Sequence, residues 1–183
     1  MRKANALLSM GILVLFLIHA VLGGFQLSGI LPGGSRILMI LAWLMTVLIA
    51  VHTVLGCIMT VQTLSAQKKS GAAYPKENRL FWIRRISGFA VMLLILAHIV
   101  IFLGSSAGGV YRLNLFGTAQ MISQILLVIA VAVHVLTNIK PLMLALGVRR
   151  FQEFFTDILL ILSVLLCFCG IAFLIYYLRW QQI

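Results

Sequence analysis

The chain has 183 residues, of which 63% are hydrophobic and only 9% are charged, and its formal net charge is +11. Soluble domains are about half apolar and about a quarter charged, so a soluble domain of this composition would expose too much apolar surface to water. The composition indicates an integral membrane protein, which excludes a soluble enzyme, a disordered tail and a disulfide-stabilised secreted domain. The length corresponds to a single domain over residues 1–183.

Five apolar stretches each approach the roughly 20 residues that are needed to cross the hydrocarbon core of a bilayer. They cover residues 7–24, 37–64, 86–103, 119 to at least 136, and 158–178. Inside the bilayer no water is available to satisfy backbone polar groups, so each stretch is expected to be a helix. The predicted fold is an all-α bundle of five transmembrane helices.

Basic residues predict the orientation of this bundle. Two lie before the first span, six lie in the connection at 66–85 and three in the connection that begins near Lys140, whereas the other side carries only Arg36, Arg112 and Arg179. This bias places the N-terminus in the cytoplasm and the C-terminus outside, as in a multi-pass protein of the cell membrane. The positive charge is then explained by topology and anionic lipid, so no nucleic-acid partner is expected.

Two other features of the sequence, the basic N-terminus and the three cysteines, do not indicate a functional site. The basic N-terminus before an apolar run has the composition of a signal peptide, but the run is as long as a span and contains His19, so we expect it to be retained. Cys57, Cys167 and Cys169 do not have the spacing of a zinc site or a haem attachment, and we expect them to be small buried apolar residues.

Each of the first four spans contains one histidine, and no Asp, Glu, Lys or Arg lies deep inside these spans. Ionisable residues inside a membrane are functional candidates by default. At about 1.5 Å per residue, His19 and His98 lie about 8 Å below the outer boundary, and His52 and His134 about 20 Å below it. The histidines are therefore predicted to form two pairs at two depths, His19 with His98 and His52 with His134.

Two imidazoles at one level of an apolar bundle match the axial ligation of haem iron, whereas a zinc site would gather three or four ligands at one level. We therefore predict two b-type haems, with the four histidines as iron ligands. A structural role or a proton relay is the open alternative. The chain contains no nucleotide fingerprint and no cysteine cluster for iron–sulfur ligation, so an electron-transfer role requires a partner subunit on one side and a membrane quinone.

The histidine pattern and the stretch Arg84-Arg85-Ile86-Ser87-Gly88 resemble the di-haem cytochrome b anchors of succinate dehydrogenases and fumarate reductases, which carry an Arg-[Ile/Val]-Ser-Gly signature. The resemblance covers nearly the whole chain. It implies a flavoprotein subunit and an iron–sulfur subunit on the cytoplasmic face, with the dicarboxylate chemistry in those subunits and quinone reactivity in this one. It also implies that Arg84, Arg85 and Ser87 hold the haem propionates.

The chain departs from those fumarate reductases that carry intramembrane glutamates, because it has no carboxylate in any span and position 132 is alanine. A bound menaquinone or ubiquinone would have to use neutral or basic groups on the outer side, for which the candidates by location are Gln26, Arg36, Tyr111, Arg112, Asn114 and Gln120. Two other classes stay open. One is a cytochrome b subunit of a formate dehydrogenase, a hydrogenase or the b561 type, and the other is a haem-free transporter or assembly factor.

Overall fold

The computed structural model describes residues 1–71, 79–103, 106–107, 110–111, 113, 115–148 and 152–180. Within these residues the helices are α1 (Arg2–Leu27), α2 (Arg36–Ser70), α3 (Arg79–Phe102), α4 (Thr118–Ala145) and α5 (Gln152–Trp180). A two-residue antiparallel pair, β1 (Ser106–Ala107) with β2 (Val110–Tyr111), lies between α3 and α4. All five helices contain a segment long and apolar enough to cross a membrane, which confirms the predicted helical fold.

Most helices extend beyond the apolar stretch that predicted them, because the flanking polar residues continue the same backbone hydrogen bonding. The clearest case is α2, which has 35 residues and continues past the predicted end at 64 through Lys68 and Lys69. At about 1.5 Å per residue, α2 is about 52 Å long, whereas the hydrocarbon core is about 30 Å thick. Its ends must therefore project beyond the hydrocarbon.

The sequence prediction was wrong at Lys140 and Pro141, which it assigned to the fourth connection, because α4 continues through both residues to Ala145. Proline has no N–H, so Pro141 leaves the carbonyl of Thr137, four residues earlier, without its helical partner. The side chain of Arg84 on α3 supplies that partner, since its Nε donates to the Thr137 carbonyl at 2.9 Å. A hydrogen bond from the neighbouring helix thus satisfies α4 where the proline interrupts its own bonding.

Helices α3 and α4 form the most extensive pair, and α1 packs against both α2 and α5. Helix α1 approaches α5 closely at Gly24, where the ring of Phe168 occupies the space that a Cβ atom would need. Within the described ranges, α1 makes little close backbone contact with α3, and neither does α2 with α4. Those two pairings, α1 with α3 and α2 with α4, are the ones that carry the predicted histidine pairs.

The expectation that the cysteines are buried was wrong for two of them. Cys57 and Cys167 are exposed on the helix surface, and Cys169 is partly buried. In a membrane protein the outward face of a helix meets lipid and is as apolar as the interior. An apolar neighbourhood in the sequence therefore does not imply that a residue lies inside the bundle.

Candidate functional site: two histidine pairs

The structure brings the four histidines together as two pairs. The ring centroids of His19 on α1 and His98 on α3 are 6.0 Å apart with an interplanar angle of 74°, and those of His52 on α2 and His134 on α4 are 6.4 Å apart with an angle of 78°. These are the pairs that the depth of each histidine in its span predicts. We call the first the outer pair and the second the inner pair, after their predicted depths.

Contacts along three helices give the separation of the two levels. The inner pair is contacted by Ser9, ten residues before His19 on α1, and by Ser87, eleven residues before His98 on α3. The outer pair is contacted by Gln124, ten residues before His134 on α4. At 1.5 Å per residue, each helix separates the pairs by about 15 Å, so both fit within a hydrocarbon core of about 30 Å.

Both histidines of the inner pair are held at Nδ1 by a serine hydroxyl. Ser9 Oγ lies 3.2 Å from His52 Nδ1, and Ser87 Oγ lies 3.3 Å from His134 Nδ1. Ser9 Oγ donates its one proton to the backbone carbonyl of Asn5 at 2.8 Å, so it accepts from the imidazole of His52. Since Nδ1 is engaged by a hydroxyl in both histidines, Nε2 is the ring nitrogen left for a ligand.

His98 of the outer pair is held by a fully buried amide, that of Gln124, whose Oε1 lies 2.7 Å from His98 Nδ1. The same ring stacks on Phe102 at 4.6 Å and meets the edge of Phe173 at 6.4 Å. For His19, no hydrogen-bond partner occurs in the part of the chain that the structure describes. The position of the His19 ring is therefore set by α1 and by its contact with His98.

An aromatic cluster closes the bundle beyond the outer pair. Phe116 is fully buried and contacts both Phe102 and Tyr176, at centroid distances of 6.2 and 4.9 Å. Leu113, only 2% exposed, donates its backbone N–H to the hydroxyl of Tyr176 at 3.4 Å. This aromatic cap, which consists of Phe102, Leu113, Phe116, Phe173 and Tyr176, separates His98 from the nearer end of the bundle and keeps its surroundings apolar.

The three residues predicted to hold haem propionates, Arg84, Arg85 and Ser87, all lie near the inner pair. Ser87 is buried against His134, and Arg84 bonds to the Thr137 carbonyl. The guanidinium of Arg85 lies 5.2 Å from the ring centroid of Phe81 and within electrostatic range of both inner histidines. A contact of these residues with haem propionates stays a prediction.

Gly88 allows the inner pair to form. A Cβ atom at this position would lie 3.0 Å from His134 Cε1 and 3.2 Å from His134 Nδ1. Contacts this short would require the imidazole to shift by a few tenths of an ångström, and the contact of its Nδ1 with Ser87 restrains that shift. The absence of a side chain at Gly88 is therefore a condition for the observed position of His134.

The candidate quinone residues on the outer side do not form a cluster in the described residues. Gln26 Nε2 donates to the carbonyl of Pro32 at 3.0 Å, and Gln120 Oε1 accepts from the N–H of Gly117 at 3.0 Å. Arg36 is exposed at the start of α2. The side chain of Tyr111 and the whole of Arg112 and Asn114 lie outside the described residues.

The donor set at each pair fits a haem iron with two axial ligands. With metal–nitrogen bonds of about 2 Å and about 1.2 Å from each nitrogen to its ring centre, two opposed imidazoles would have centroids about 6.4 Å apart. The observed centroids are 6.0 and 6.4 Å apart. The described residues contain no group of three or more His, Cys, Asp or Glu suited to a metal ion, so two ligands per site is the arrangement that the chain offers.

No protein-family model matches the chain, and neither a curated protein sequence nor a solved structure is significantly similar to it. The class of protein is therefore defined by its own fold and site. The chain is a multi-pass helical membrane protein: the described residues contain five helices long and apolar enough to cross a membrane, and the four histidines form two pairs at two levels of the bundle.

Sequence reasoning missed the hydrogen-bond partners of the histidines, Ser9 and Gln124. Both are polar residues inside apolar spans, and such residues in membrane helices usually bond across the bundle. That feature marks them as candidates in the sequence. The assignment of each to a particular histidine requires the rotation of the helices about their axes.

Proposed function

We propose that this chain is a di-haem cytochrome b subunit that passes electrons across the membrane between a quinone and a soluble partner. The observation that carries the proposal is the arrangement of the histidines in two facing pairs. Three of the four imidazoles have Nδ1 engaged with a side chain, which leaves Nε2 available to a metal. In metal-binding histidines the ring nitrogen that does not bind the metal is typically hydrogen-bonded in this way.

The fold supports the same assignment. The helices that face each other across each pair make little direct backbone contact, whereas α3 and α4 pack closely. A flat macrocycle between α1 and α3, and another between α2 and α4, would occupy places where the bundle is loosely packed. A proton relay predicts a different arrangement, because protons would have to pass between the two levels through polar groups, and these levels are about 15 Å apart along the helices.

When bound, haem iron would supply one-electron chemistry at each level, tuned by its axial ligands and surroundings. His19 and His98 would hold the outer group, and His52 and His134 the inner group. Ser9, Ser87 and Gln124 would orient the imidazoles, and the aromatic cap would exclude water from the outer site. Arg85, whose charge lies near the inner histidines, is suited to an anionic substituent such as a propionate.

The soluble partner would bind at the end of the bundle where α1 begins and α2 ends. Eight cationic residues are described there: Arg2, Lys3, Lys68, Lys69, Arg79, Arg84, Arg85 and Lys140. We propose that this end faces the cytoplasm and receives the iron–sulfur subunit of a succinate dehydrogenase or fumarate reductase, which would be joined to a flavoprotein. The chain would then be the quinone-reactive membrane subunit of a succinate:quinone oxidoreductase.

The test of the cofactor is a reduced-minus-oxidised absorption spectrum of the detergent-purified protein with a pyridine haemochrome count. We expect about two b-type haems per chain, one for each pair of axial ligands. The matched control is the same preparation with His98 and His134 both replaced by alanine, which should contain none. A folded wild-type protein without haem would contradict the proposal and favour a proton-handling role.

The test of the partner is purification of the tagged chain from its native membrane in mild detergent. We expect two soluble subunits and succinate–quinone or quinol–fumarate activity. Recovery of a molybdenum or nickel enzyme would instead assign the chain to the cytochrome b subunits of formate dehydrogenases or hydrogenases. The haem count would be the same in both outcomes, so the two tests are independent.

A further inference from the structure

Gln124 lies in the second turn of α4 and is 0% exposed, although its amide is polar. A buried amide costs free energy unless both its ends are hydrogen-bonded, and inside a membrane no water can provide the missing partner. The structure gives both ends a partner, with Oε1 2.7 Å from His98 Nδ1 and Nε2 3.0 Å from Ser123 Oγ. The residue therefore has a defined place in the site.

The direction of these bonds follows from the neighbouring donors. Ser123 Oγ donates its proton to the backbone carbonyl of Gln120 at 2.7 Å, so it accepts from the amide N–H of Gln124. The amide oxygen of Gln124 then faces His98, and an oxygen of this kind only accepts. His98 must carry its ring proton on Nδ1, which leaves Nε2 unprotonated.

We propose that Gln124 is the positioning residue of the outer site, which fixes the tautomer of His98 and sets the electron density on its Nε2. The proposal deepens the function proposed above and rests on it. Gln124 is distinctive because His19, the opposite member of the pair, has no hydrogen-bond partner in the described part of the chain. The outer site thus depends on one amide, whereas the inner site has a serine hydroxyl at each histidine.

An acceptor at Nδ1 makes the imidazole a more basic ligand, and a more basic ligand favours the oxidised metal. Removal of the acceptor should therefore raise the midpoint potential of the outer haem, and a stronger acceptor should lower it. Gln124→Leu removes the acceptor at similar side-chain size, and Gln124→Glu places a carboxylate there. Opposite shifts in these two variants are a signature that a merely structural role would not produce.

The experiment is a potentiometric titration of both haems in the purified wild-type chain, Gln124→Leu and Gln124→Glu, with Ser87→Ala as the matched variant of the inner site. We expect a positive shift of the outer component in Gln124→Leu and a negative shift in Gln124→Glu, with the inner component unchanged in both. Ser87→Ala should shift the inner component alone. Shifts of the same sign in both Gln124 variants, or no shift in Gln124→Leu, would overturn the proposal.

A second measurement does not need the haem. Nitrogen-15 spectra of the histidine-labelled, haem-free chain in detergent report which ring nitrogen of His98 carries the proton. We expect the proton on Nδ1 in the wild-type chain, and its loss from that fixed position in Gln124→Leu. A wild-type His98 protonated on Nε2 would overturn the assignment of Gln124. A colourless native preparation, by contrast, would reject the proposed function. The tautomer of His98 would then still show whether Gln124 positions its ring.

Discussion

Arg84 on α3 replaces the hydrogen bond that Pro141 removes from α4. The Nε atom of Arg84 donates at 2.9 Å to the carbonyl of Thr137, which is the group that residue 141 would bond to if it were not proline. Thr137 lies three residues after His134 on the same helix. The interaction thus stabilises α4 immediately beside the inner histidine pair.

We expect Arg84→Ala to lower the free energy of unfolding by about 1–2 kcal/mol, because it leaves the Thr137 carbonyl without a donor. The measurement is denaturant or thermal unfolding in detergent. Pro141→Ala provides the control, since it restores the backbone N–H that bonds to Thr137. In the Pro141→Ala background, Arg84→Ala should lower the free energy of unfolding clearly less than in the wild-type chain. An equal loss in the two backgrounds would refute the coupling.

Gly88→Ala should disturb the inner site selectively. The added methyl group would lie 3.0 Å from His134 Cε1, so the imidazole would have to shift by a few tenths of an ångström, which disturbs its contacts with Ser87 and His52. We expect a reduced haem count and the loss or broadening of the inner spectral component, with the outer component retained. Gly11→Ala is the matched control, because nothing lies within 4 Å of its added methyl group. Gly11→Ala should keep both haems and leave stability unchanged or raise it by about 0.4–1 kcal/mol.

The pairing of the histidines predicts the grouping of the single variants. Replacement of either His19 or His98 by alanine should remove one and the same spectral component, and replacement of either His52 or His134 the other. The physical reason is that a haem with two axial histidines is bound weakly by either alone. Loss of the same component in the His19 and His52 variants would overturn the pairing.

The aromatic cap predicts a large stability effect at one phenylalanine and a small one at another. Phe116 is fully buried in the cap, and its truncation to alanine should cost about 3–5 kcal/mol. Phe89 is 61% exposed on α3 and faces lipid or detergent, so Phe89→Ala should cost far less. The measurement is the free energy of unfolding of Phe116→Ala and of Phe89→Ala under the same condition. Hydrogen exchange at residues 98–102 should also accelerate in Phe116→Ala alone, because water would reach the outer pair.

The orientation of the bundle is testable by cysteine labelling in intact cells. In a background without the three native cysteines, a Lys69→Cys variant should react only with a membrane-permeant reagent, because the excess of basic residues places this end inside. An Arg36→Cys variant should react with an impermeant reagent from outside. The reverse pattern would invert the orientation and move the predicted partner to the opposite face.

The sequence was sufficient for the five apolar helices and for the level of each histidine along its helix. Both are one-dimensional properties, because the thickness of the bilayer and the fixed rise of a helix convert residue number directly into depth. The sequence was less informative about helix ends. It placed the end of the fourth span before Pro141, because nothing local shows that Arg84, on another helix, satisfies the carbonyl that the proline leaves open.

The partners of the histidines were decided by the tertiary structure. That Ser9 meets His52, Ser87 meets His134 and Gln124 meets His98 depends on the rotation of each helix about its axis and on the close approach of α3 to α4 at Gly88. Lipid and protein interior are equally apolar, so hydropathy does not tell which face of a membrane helix points inward. For the same reason Cys57 and Cys167 were wrongly expected inside. The sequence alone determined the level of each group along its helix, and the packing of the helices determined which groups meet at that level.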